Sequence, residues 1–202
     1  ALFHVPGVPR EADGEALNEY VHFHAPLFRR TFFRGIEQLA PGEYRVVSER
    51  GARTKTYWQV DGFEPATTKP EETVERLSAL LGRVVREQLM SDVPVGAFFS
   101  GGIDSTAVAS MATRTGLRLW CFGVHFSGQG VIDERPYQEA AAKALGLDLE
   151  LITLDGASFP DDMRRLLFTQ DQPVIGAAML PMDAVAKLAS RRVKVCVGGQ
   201  AA

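Results

Sequence analysis

The fold that this sequence predicts is determined by one stretch, Val93-Pro94-Val95-Gly96-Ala97-Phe98-Phe99-Ser100-Gly101-Gly102-Ile103-Asp104-Ser105. Its first part, from Val95 to Phe99, is a short apolar run, which is typical of a strand covered on both faces. Ser100-Gly101-Gly102 can then turn tightly, because glycine adopts backbone conformations that other residues avoid. Asp104 and Ser105 are residues that commonly begin helices. The stretch therefore predicts a buried strand, a glycine turn and a helix.

A helix that begins directly after a glycine turn offers a site for an anion. Free backbone N–H groups and the positive end of the helix dipole converge there, and the ligand that this arrangement favours is a phosphate group. The spacing by itself leaves a plain tight turn equally open. The stretch is not a Walker A loop, because no Gly-Lys-Ser/Thr follows the turn, and it lacks the G-x-G-x-x-G of dinucleotide-binding folds.

Length, charge and apolar content limit the classes of protein that fit the chain. Its 202 residues suffice for one α/β domain with an appendage. The net charge of −3 and the scattered arginines give no sign of a nucleic-acid partner. No apolar run approaches the roughly 18 residues of a membrane span, and no signal peptide is visible. Cys121 and Cys196 fall in predicted buried strands, where small buried side chains are favoured over a disulfide or a metal pair. We therefore expect a cytoplasmic protein.

Strands and helices alternate along the chain after residue 70. Helical segments separate four short apolar runs, which we interpret as strands at 95–99, 119–126, 149–154 and 193–197. This alternation predicts an α/β fold, built on a doubly wound parallel sheet with right-handed crossovers. The clearest helix covers 71–89, and its apolar face is expected to pack on the sheet.

Residues 1–60 form a separate block, which a linker at 61–70 joins to the rest of the chain. In this block, Asp13 is expected to cap a short helix. Alternating residues on either side of Ser48-Glu49-Arg50-Gly51 indicate a β-hairpin.

Ligands of such sheets bind at the carboxyl ends of the strands, where the strand order reverses. A second glycine turn, Gly198-Gly199-Gln200, follows the fourth strand. If the order is third, second, first, fourth, the two glycine turns lie side by side and line one crevice. Taken alone, Gly198-Gly199 fits a plain turn at the end of a strand equally well.

The string S-G-G-I-D-S, preceded by S-D-V-P-V-G, resembles the pyrophosphate loop of the N-type ATP pyrophosphatases. It is most similar to the synthetase domain of glutamine-dependent asparagine synthetases. The resemblance implies a fold like that of the adenine nucleotide alpha-hydrolases, which is Rossmann-like. In that family the loop holds the pyrophosphate part of ATP, and the aspartate of the motif helps hold Mg²⁺. The matching residues are Ser100, Gly101, Gly102 and Ser105 for ATP, and Asp104 for both ATP and Mg²⁺.

The resemblance implies further contacts outside the loop. ATP would also meet Phe98, Val124, Gly198 and Gly199, with Val124 bonding the adenine edge through its backbone. As isolated residues, Phe98 and Val124 would be assigned to the core. Asp171 matches an acidic position beside the amino-acid site, and a turn residue at a helix end remains open for it. Asp133 and Glu134 are interpreted first as a helix cap.

The resemblance also covers the first block. The segment F-F-R-G-I-E-Q-L-A-P-G-E-Y, with Tyr57-Trp58 after it, is similar to the tail of the glutaminase domain in these synthetases. Nothing here matches the glutaminase nucleophile, an N-terminal cysteine. We therefore expect a fragment: a glutaminase tail at 1–60, a linker at 61–70, and a synthetase domain at 71–202 that is truncated at its C-terminus and by itself inactive.

The chemistry that the resemblance implies is adenylation of a carboxylate, followed by attack of ammonia. Aspartate would become asparagine, with ammonia from glutamine and with AMP and pyrophosphate as products; a homodimer is left open. One catalytic position departs from the family, because the glutamate linked to intermediate formation is Gln200 here, and an amide carries no charge. Two alternatives therefore stay open: an amidotransferase or cyclising ligase acting on another carboxylate, and a nucleotide-binding module without ligase activity.

Overall fold

The computed structural model describes residues 2–60, 67–128, 133–170 and 178–199. The chain divides into two compact units. We call Ala1–Ala66 with Leu167–Ile175 the N-terminal unit, and Thr67–Leu166 with Gly176–Ala202 the sheet unit.

The N-terminal unit contains the predicted capped helix and the predicted hairpin. Helix α1 (Gly14–Phe23) begins after Asp13, whose carboxylate accepts hydrogen bonds from the N–H groups of Glu15 and Ala16. This cap satisfies amides that have no partner within the helix. Strands β1 (Glu43–Ser48) and β2 (Gly51–Thr56) pair antiparallel, with Ser48 opposite Gly51. Both predictions are confirmed.

The sheet unit is built around four parallel strands in the order β5-β4-β3-β6. The strands are β3 (Val95–Phe98), β4 (Trp120–Phe126), β5 (Asp148–Leu154) and β6 (Val195–Val197). Helix α2 (Pro70–Gln88) precedes β3, and the helices between the strands along the chain are α3 (Ile103–Thr113), α4 (Arg135–Leu145), α5 (Phe159–Thr169) and α6 (Met179–Ala189). This is the order third, second, first, fourth, which brings β6 beside β3.

Two apolar clusters cover the two faces of the sheet, because alternate residues of a strand point to opposite faces. One cluster joins Ala97 and Cys121 to buried residues of α2, α3 and α4. The other joins Phe122 to Val185 and neighbouring residues of α6. Helices therefore cover both faces, and the predicted doubly wound α/β fold is confirmed.

The two cysteines are free thiols. Cys121 is fully buried, and this burial raises the pKa of its thiol to about 12. Cys196 is partly buried, which also raises its pKa. Both thiols are therefore protonated at neutral pH and behave as small apolar side chains.

Helix α2 is covered less completely than its apolar stripe predicts. Val85 is buried in the core, and so is Leu89, which follows the helix. Leu81 is partly buried against the same core, whereas four other apolar residues of the helix are exposed: Val74, Leu77, Leu80 and Val84. The physical reason is length, since the 19 residues of α2 extend about 28 Å, whereas the four residues of β3 extend about 13 Å. The predicted packing of the helix on the sheet is confirmed for its second half, and its first turns extend beyond the core. None of the helices in the described part of the chain is both long and apolar enough to cross a membrane.

Candidate functional site

A crevice of about 480 Å³ opens at the carboxyl ends of the strands in the sheet unit. Residues that follow β3 and β6 line it, together with the second half of β4. Side chains from the beginnings of α4 and α6 complete its walls. Because β6 pairs with β3, the turns that follow these two strands meet in this crevice.

The first turn of α3 presents backbone amides to the crevice. Gly102 occupies the N-cap position of the helix, and among the described residues no side chain accepts a capping hydrogen bond there. The first N–H groups of a helix have no partner within the helix. Two hydroxyl groups brace the loop: Ser100 Oγ lies 3.0 Å from Ser105 Oγ and accepts a hydrogen bond from the Gly102 N–H at 3.3 Å. This arrangement combines amide donors with the positive end of a helix dipole, which is chemically suited to an anion.

Gly199 lies directly against this helix start. A side-chain carbon at Gly199 would come within 2.7 Å of the Ser105 amide nitrogen and 2.8 Å of the Asp104 carbonyl carbon. At Gly198 the same carbon would meet no atom within 4 Å. Glycine is thus needed at 199 for the close approach of two backbones, whereas 198 has open space beside it.

Eight of the predicted ATP-contacting residues line the crevice: Phe98, Ser100, Gly102, Asp104, Ser105, Val124, Gly198 and Gly199. Gly101 lies beside it with a left-handed backbone (φ +75°), where a side-chain carbon would approach the backbone of Gln138 to 2.9 Å. The remaining two predicted residues, Asp171 and Gln200, lie outside the described residues. The structure therefore brings together residues as distant in the sequence as Phe98 and Gly199.

The start of α4 supplies two residues that the sequence analysis did not assign to the crevice, and one of them, Glu134, was predicted only as part of a helix cap. Glu134 and Gln138 both line the crevice, and Gln138 is buried, with 1% of its surface exposed. Nothing in the pattern around Gln138 distinguishes it from a polar residue on a helix surface. Asp133, in contrast, accepts a hydrogen bond from the Arg135 N–H at 3.0 Å. This bond lowers the pKa of Asp133 and agrees with its predicted capping role.

Apolar residues of α6 form another wall that the sequence analysis missed. Pro181, Met182 and Val185 line the crevice together with the glycine turns. Their only sequence signal is helical apolar spacing, which also describes ordinary core packing. A crevice that combines an anion site with apolar walls suits a ligand having both a charged part and a flat apolar part.

The carboxylates of the crevice fit a cation that arrives with a phosphorylated ligand. Among the described residues, no group of three or more His, Cys, Asp or Glu side chains is placed to hold a metal ion. Mg²⁺ needs only one or two carboxylates when phosphate oxygens and waters fill its other positions. Asp104, in the first turn of α3, is placed to be such a ligand, and Glu134 is the second carboxylate that lines the crevice.

The parallel sheet, the glycine turn before α3 and the crevice at the strand ends define an α/β domain of the class that binds ligands at a switch in strand order. The sequence then gives the family. Residues 76–202 match the family described as Asparagine synthase, and the chain belongs to this family.

Individual relatives show the same similarity over most of the chain. It is 31% identical over 193 residues to an asparagine synthetase [glutamine-hydrolyzing] 1 of Bacillus subtilis, covering 95% of this chain and 30% of the relative. A putative asparagine synthetase [glutamine-hydrolyzing] of Mycobacterium tuberculosis is 31% identical over 205 residues, covering 100% and 31%. The amidase chyE of Penicillium rubens is 33% identical over 145 residues, covering 62% and 21%. The chain spans less than a third of the length of these relatives.

Solved structures resemble the chain more distantly. An NH3-dependent NAD synthetase from Campylobacter jejuni aligns with a TM-score of 0.41 and 15% identity, covering 66% of this chain and 57% of that chain. An NMN synthetase from Francisella tularensis aligns with a TM-score of 0.38 and 18% identity, covering 64% and 53%. The family membership rests on the sequence comparison, and the fold on the observed sheet.

Proposed function

We propose that the protein binds ATP in this crevice and uses it to convert a carboxylate into an amide. The observation that carries the proposal is the meeting of the two glycine turns at the uncapped start of α3. Two backbones approach closely there, and amides at the start of α3 would face the phosphates of a nucleotide. Membership of the asparagine synthase family supports the same assignment.

Different residues of the crevice would contact different parts of ATP. The loop Ser100–Gly102 and the start of α3 would hold the pyrophosphate part of ATP, with Ser105 and Gly199 beside it. Asp104 would hold Mg²⁺, which neutralises charge on the departing pyrophosphate. The backbone of Val124 would face the adenine edge, and Phe98 and Gly198 would line the space between. The protein thereby supplies mainly position and charge.

The reaction that fits this arrangement has two steps. A carboxylate oxygen of the acceptor attacks the α-phosphorus of ATP, the bond to the bridging oxygen breaks, and pyrophosphate leaves. Ammonia then attacks the carbonyl carbon of the acyl-adenylate, loses a proton, and AMP departs with the electrons of the cleaved bond. The groups that this chain offers in the described crevice are amides, hydroxyls and carboxylates, which suit charge stabilisation better than nucleophilic catalysis.

Aspartate is the acceptor that we propose first, with glutamine as the source of ammonia. The names of the bacterial relatives support it, since they are asparagine synthetases that hydrolyse glutamine. Asp171 would help shape the amino-acid site, and Gln200 would stand where the family carries its catalytic glutamate. Both residues lie outside the described part of the chain.

A second acceptor is favoured by one specific residue. Gln200 cannot carry a charge or act as a base near neutral pH. A protein that amidates or cyclises a different carboxylate is therefore the alternative, and a nucleotide-binding module without ligase activity is the remaining one. The similarity to an amidase shows that the sequence pattern is shared by proteins with names other than asparagine synthetase.

We also propose how the chain is organised in its protein. Residues 1–60 would be the end of a glutaminase domain, 61–70 a linker, and 71–202 the larger part of the synthetase domain. The protein would work in the cytoplasm on small-molecule substrates, with a homodimer left open. These assignments extend the family match, which covers residues 76–202.

Aspartate-dependent turnover by the intact protein tests the proposal. The protein is incubated with ATP, Mg²⁺, aspartate and ammonia, and AMP, pyrophosphate and asparagine are measured. We expect AMP and pyrophosphate in equal amounts, with one asparagine for each. ATP binding without aspartate-dependent turnover contradicts asparagine synthesis, and a panel of other carboxylates then separates the second acceptor from a binding-only role. Absence of ATP binding contradicts the whole proposal.

A further inference from the structure

A second cavity of the sheet unit has no role in the proposed function. It lies between α2 and α3 and has a volume of about 640 Å³, compared with about 480 Å³ for the crevice. The two share no described residue, because the start of α3 borders the crevice, whereas Met111, Arg114 and Thr115 at its other end border this cavity. The length of α3, about 16 Å, separates the two ends. We call this space the α2–α3 cavity.

Three arginines line the α2–α3 cavity: Arg83, Arg86 and Arg114. Arg83 and Arg86 are three residues apart on α2, so that their side chains leave the helix on the same side. Arg114 follows the last residue of α3. Among the described lining residues, Glu75 is the one carboxylate, and it lies about 12 Å from Arg83 along the helix axis. The cavity therefore has an excess of positive charge, in a chain whose net charge is −3.

These three arginines lack close carboxylate partners. Within the described part of the chain, Arg86 and Arg114 form no ion pair, and Arg83 approaches Glu87 only to 4.0 Å. Arg114 instead donates to Met111 Sδ at 3.7 Å. Several other arginines of the sheet unit lie within 3.1 Å of a carboxylate oxygen: Arg118, Arg135, Arg164 and Arg165. Like charges on neighbouring turns of a helix repel each other, and an anion between the guanidinium groups would offset this repulsion.

A glycine inside α2 keeps the cavity open. Gly82 lines the cavity from the interior of the helix, where glycine is less stable than alanine. A side-chain carbon at Gly82 would have one neighbour within 4 Å among the described residues, Met111 Sδ at 3.6 Å, which is an ordinary contact. Packing therefore does not require glycine here. Together with Ser78 and Ala79, Gly82 leaves a space that the fold itself does not need.

We propose that the α2–α3 cavity is a second ligand site, which binds a small polyanion with two or more carboxylate or phosphate groups. Arg83 and Arg86 contact one acidic group of this ligand, and Arg114 contacts another, each through the N–H donors of its guanidinium group. The site differs from the crevice because charged side chains, rather than backbone amides, supply the donors. The inference goes beyond the proposed function and does not depend on it.

Calorimetric titration of the intact protein with citrate and with inorganic pyrophosphate tests the proposal. Citrate probes for a carboxylate ligand and pyrophosphate for a phosphate ligand, and both are used without Mg²⁺ at low ionic strength, where charges are screened least. The variants are Arg86→Gln and Arg114→Gln. Arg76→Gln is the matched control, because Arg76 is an exposed arginine of α2 that does not line the cavity. Gly199→Ala alters the crevice and therefore reports binding there.

We expect at least one probe to bind about tenfold more weakly to Arg86→Gln and to Arg114→Gln, the effect of losing one charged donor. The same binding should be unchanged in Arg76→Gln and in Gly199→Ala, and the tighter probe identifies the acidic group of the ligand. The proposal is overturned if neither probe binds in this way, or if Arg76→Gln weakens binding equally.

Thermal unfolding separates binding from a purely structural role of the arginines. The probe should raise the melting temperature of the parent protein more than that of Arg86→Gln, because it stabilises the fold only where it binds. A lower melting temperature with unchanged probe affinity would assign the arginines to stabilising the ends of their helices, and would overturn the proposal. If Arg114→Gln does not fold, Arg86→Gln alone decides. Failure of the protein to bind ATP would refute the proposed function and would leave this inference standing.

Discussion

The two glycine turns of the crevice require glycine for different reasons. In the turn after β3, Gly101 adopts a left-handed backbone that other residues rarely take, and it also packs against the backbone of Gln138. In the turn after β6, Gly199 has no such conformation and instead lies against the start of α3. The first turn is therefore specified by its own backbone geometry, and the second by the element that it meets. Substitutions that separate conformation from contact test this difference.

Gly101→Ala should have the largest effect, because strain and contact act together. The left-handed backbone costs an L-residue about 1–3 kcal/mol, and the new carbon would stand 2.9 Å from Gln138 backbone atoms. We expect the free energy of unfolding, measured with denaturant, to fall by about 2–4 kcal/mol. Gly116→Ala is the matched control, since its φ is +80° with no atom within 4 Å. Equal losses in the two variants would show that the contact with Gln138 relaxes without cost.

Gly199→Ala should have the next largest effect, from contact alone. Its added carbon would lie 2.7 Å from the Ser105 nitrogen, so that one of the two turns must shift. We expect a loss of about 1–3 kcal/mol in unfolding free energy and weaker binding of pyrophosphate in a calorimetric titration. Gly198→Ala, which meets no atom within 4 Å, should change the unfolding free energy by less than about 0.5 kcal/mol. A similar loss in both variants would contradict the role of contact at 199.

The same difference explains what the sequence could predict. The first turn carries its signal locally, because an apolar run, two glycines and a helix start follow one another within 13 residues. The second turn can be assigned to the site only when the strand order is known. Because Cys196 pairs with Gly96, Gly199 lies against Ser105. From the sequence, Gly198 and Gly199 were therefore equally consistent with a plain strand-end turn. The alternation of strands and helices predicts the parallel sheet. The observed strand order, β5-β4-β3-β6, is the order in which both glycine turns line one crevice.

Two features could not be predicted, and each depends on tertiary distance. Gln138 follows Arg135-Pro136-Tyr137 at the start of α4, and its burial arises because Gly101 and Gly123 leave space for it. The exposure of Val74 and Leu77 arises because α2 is much longer than the strand that its end packs near. Helical periodicity gives the direction of a side chain around its helix and carries no information on what lies opposite.

Asp104→Asn should separate the charged function of the first turn from its shape. Asparagine keeps the size of the side chain but is a poorer ligand for Mg²⁺, which prefers carboxylate oxygen. In the presence of Mg²⁺, we expect Asp104→Asn to bind ATP about tenfold more weakly than the parent protein does, a difference of about 1.4 kcal/mol. When a chelator removes Mg²⁺, the two proteins should bind ATP equally. Glu134→Gln serves as the control within the crevice, with a smaller expected loss. A loss that persists without Mg²⁺ would mean that Asp104 acts on the fold of the turn.

The smallest effect is expected at the hydroxyl pair, which belongs to the first turn. Ser105 Oγ, in a residue that is 8% exposed, lies 3.0 Å from Ser100 Oγ and donates to the Gly102 carbonyl at 3.3 Å. We expect Ser105→Ala to lower the unfolding free energy by about 1 kcal/mol and Ser100→Ala by less, since Ser100 is exposed.

The double variant Ser100→Ala/Ser105→Ala measures the coupling of the pair. If the two hydroxyls brace the loop together, the losses are less than additive, because the first substitution already removes the shared hydrogen bond. Additive losses would show two independent hydroxyls and would leave Gly101 as the main determinant of the loop's shape. Among the described residues, the second turn contributes no hydroxyl to this pair. The coupling energy therefore reports an interaction within the first turn. If the coupling energy of the two hydroxyls is the same in Gly199→Ala, the shape of the first turn does not depend on its contact with the second.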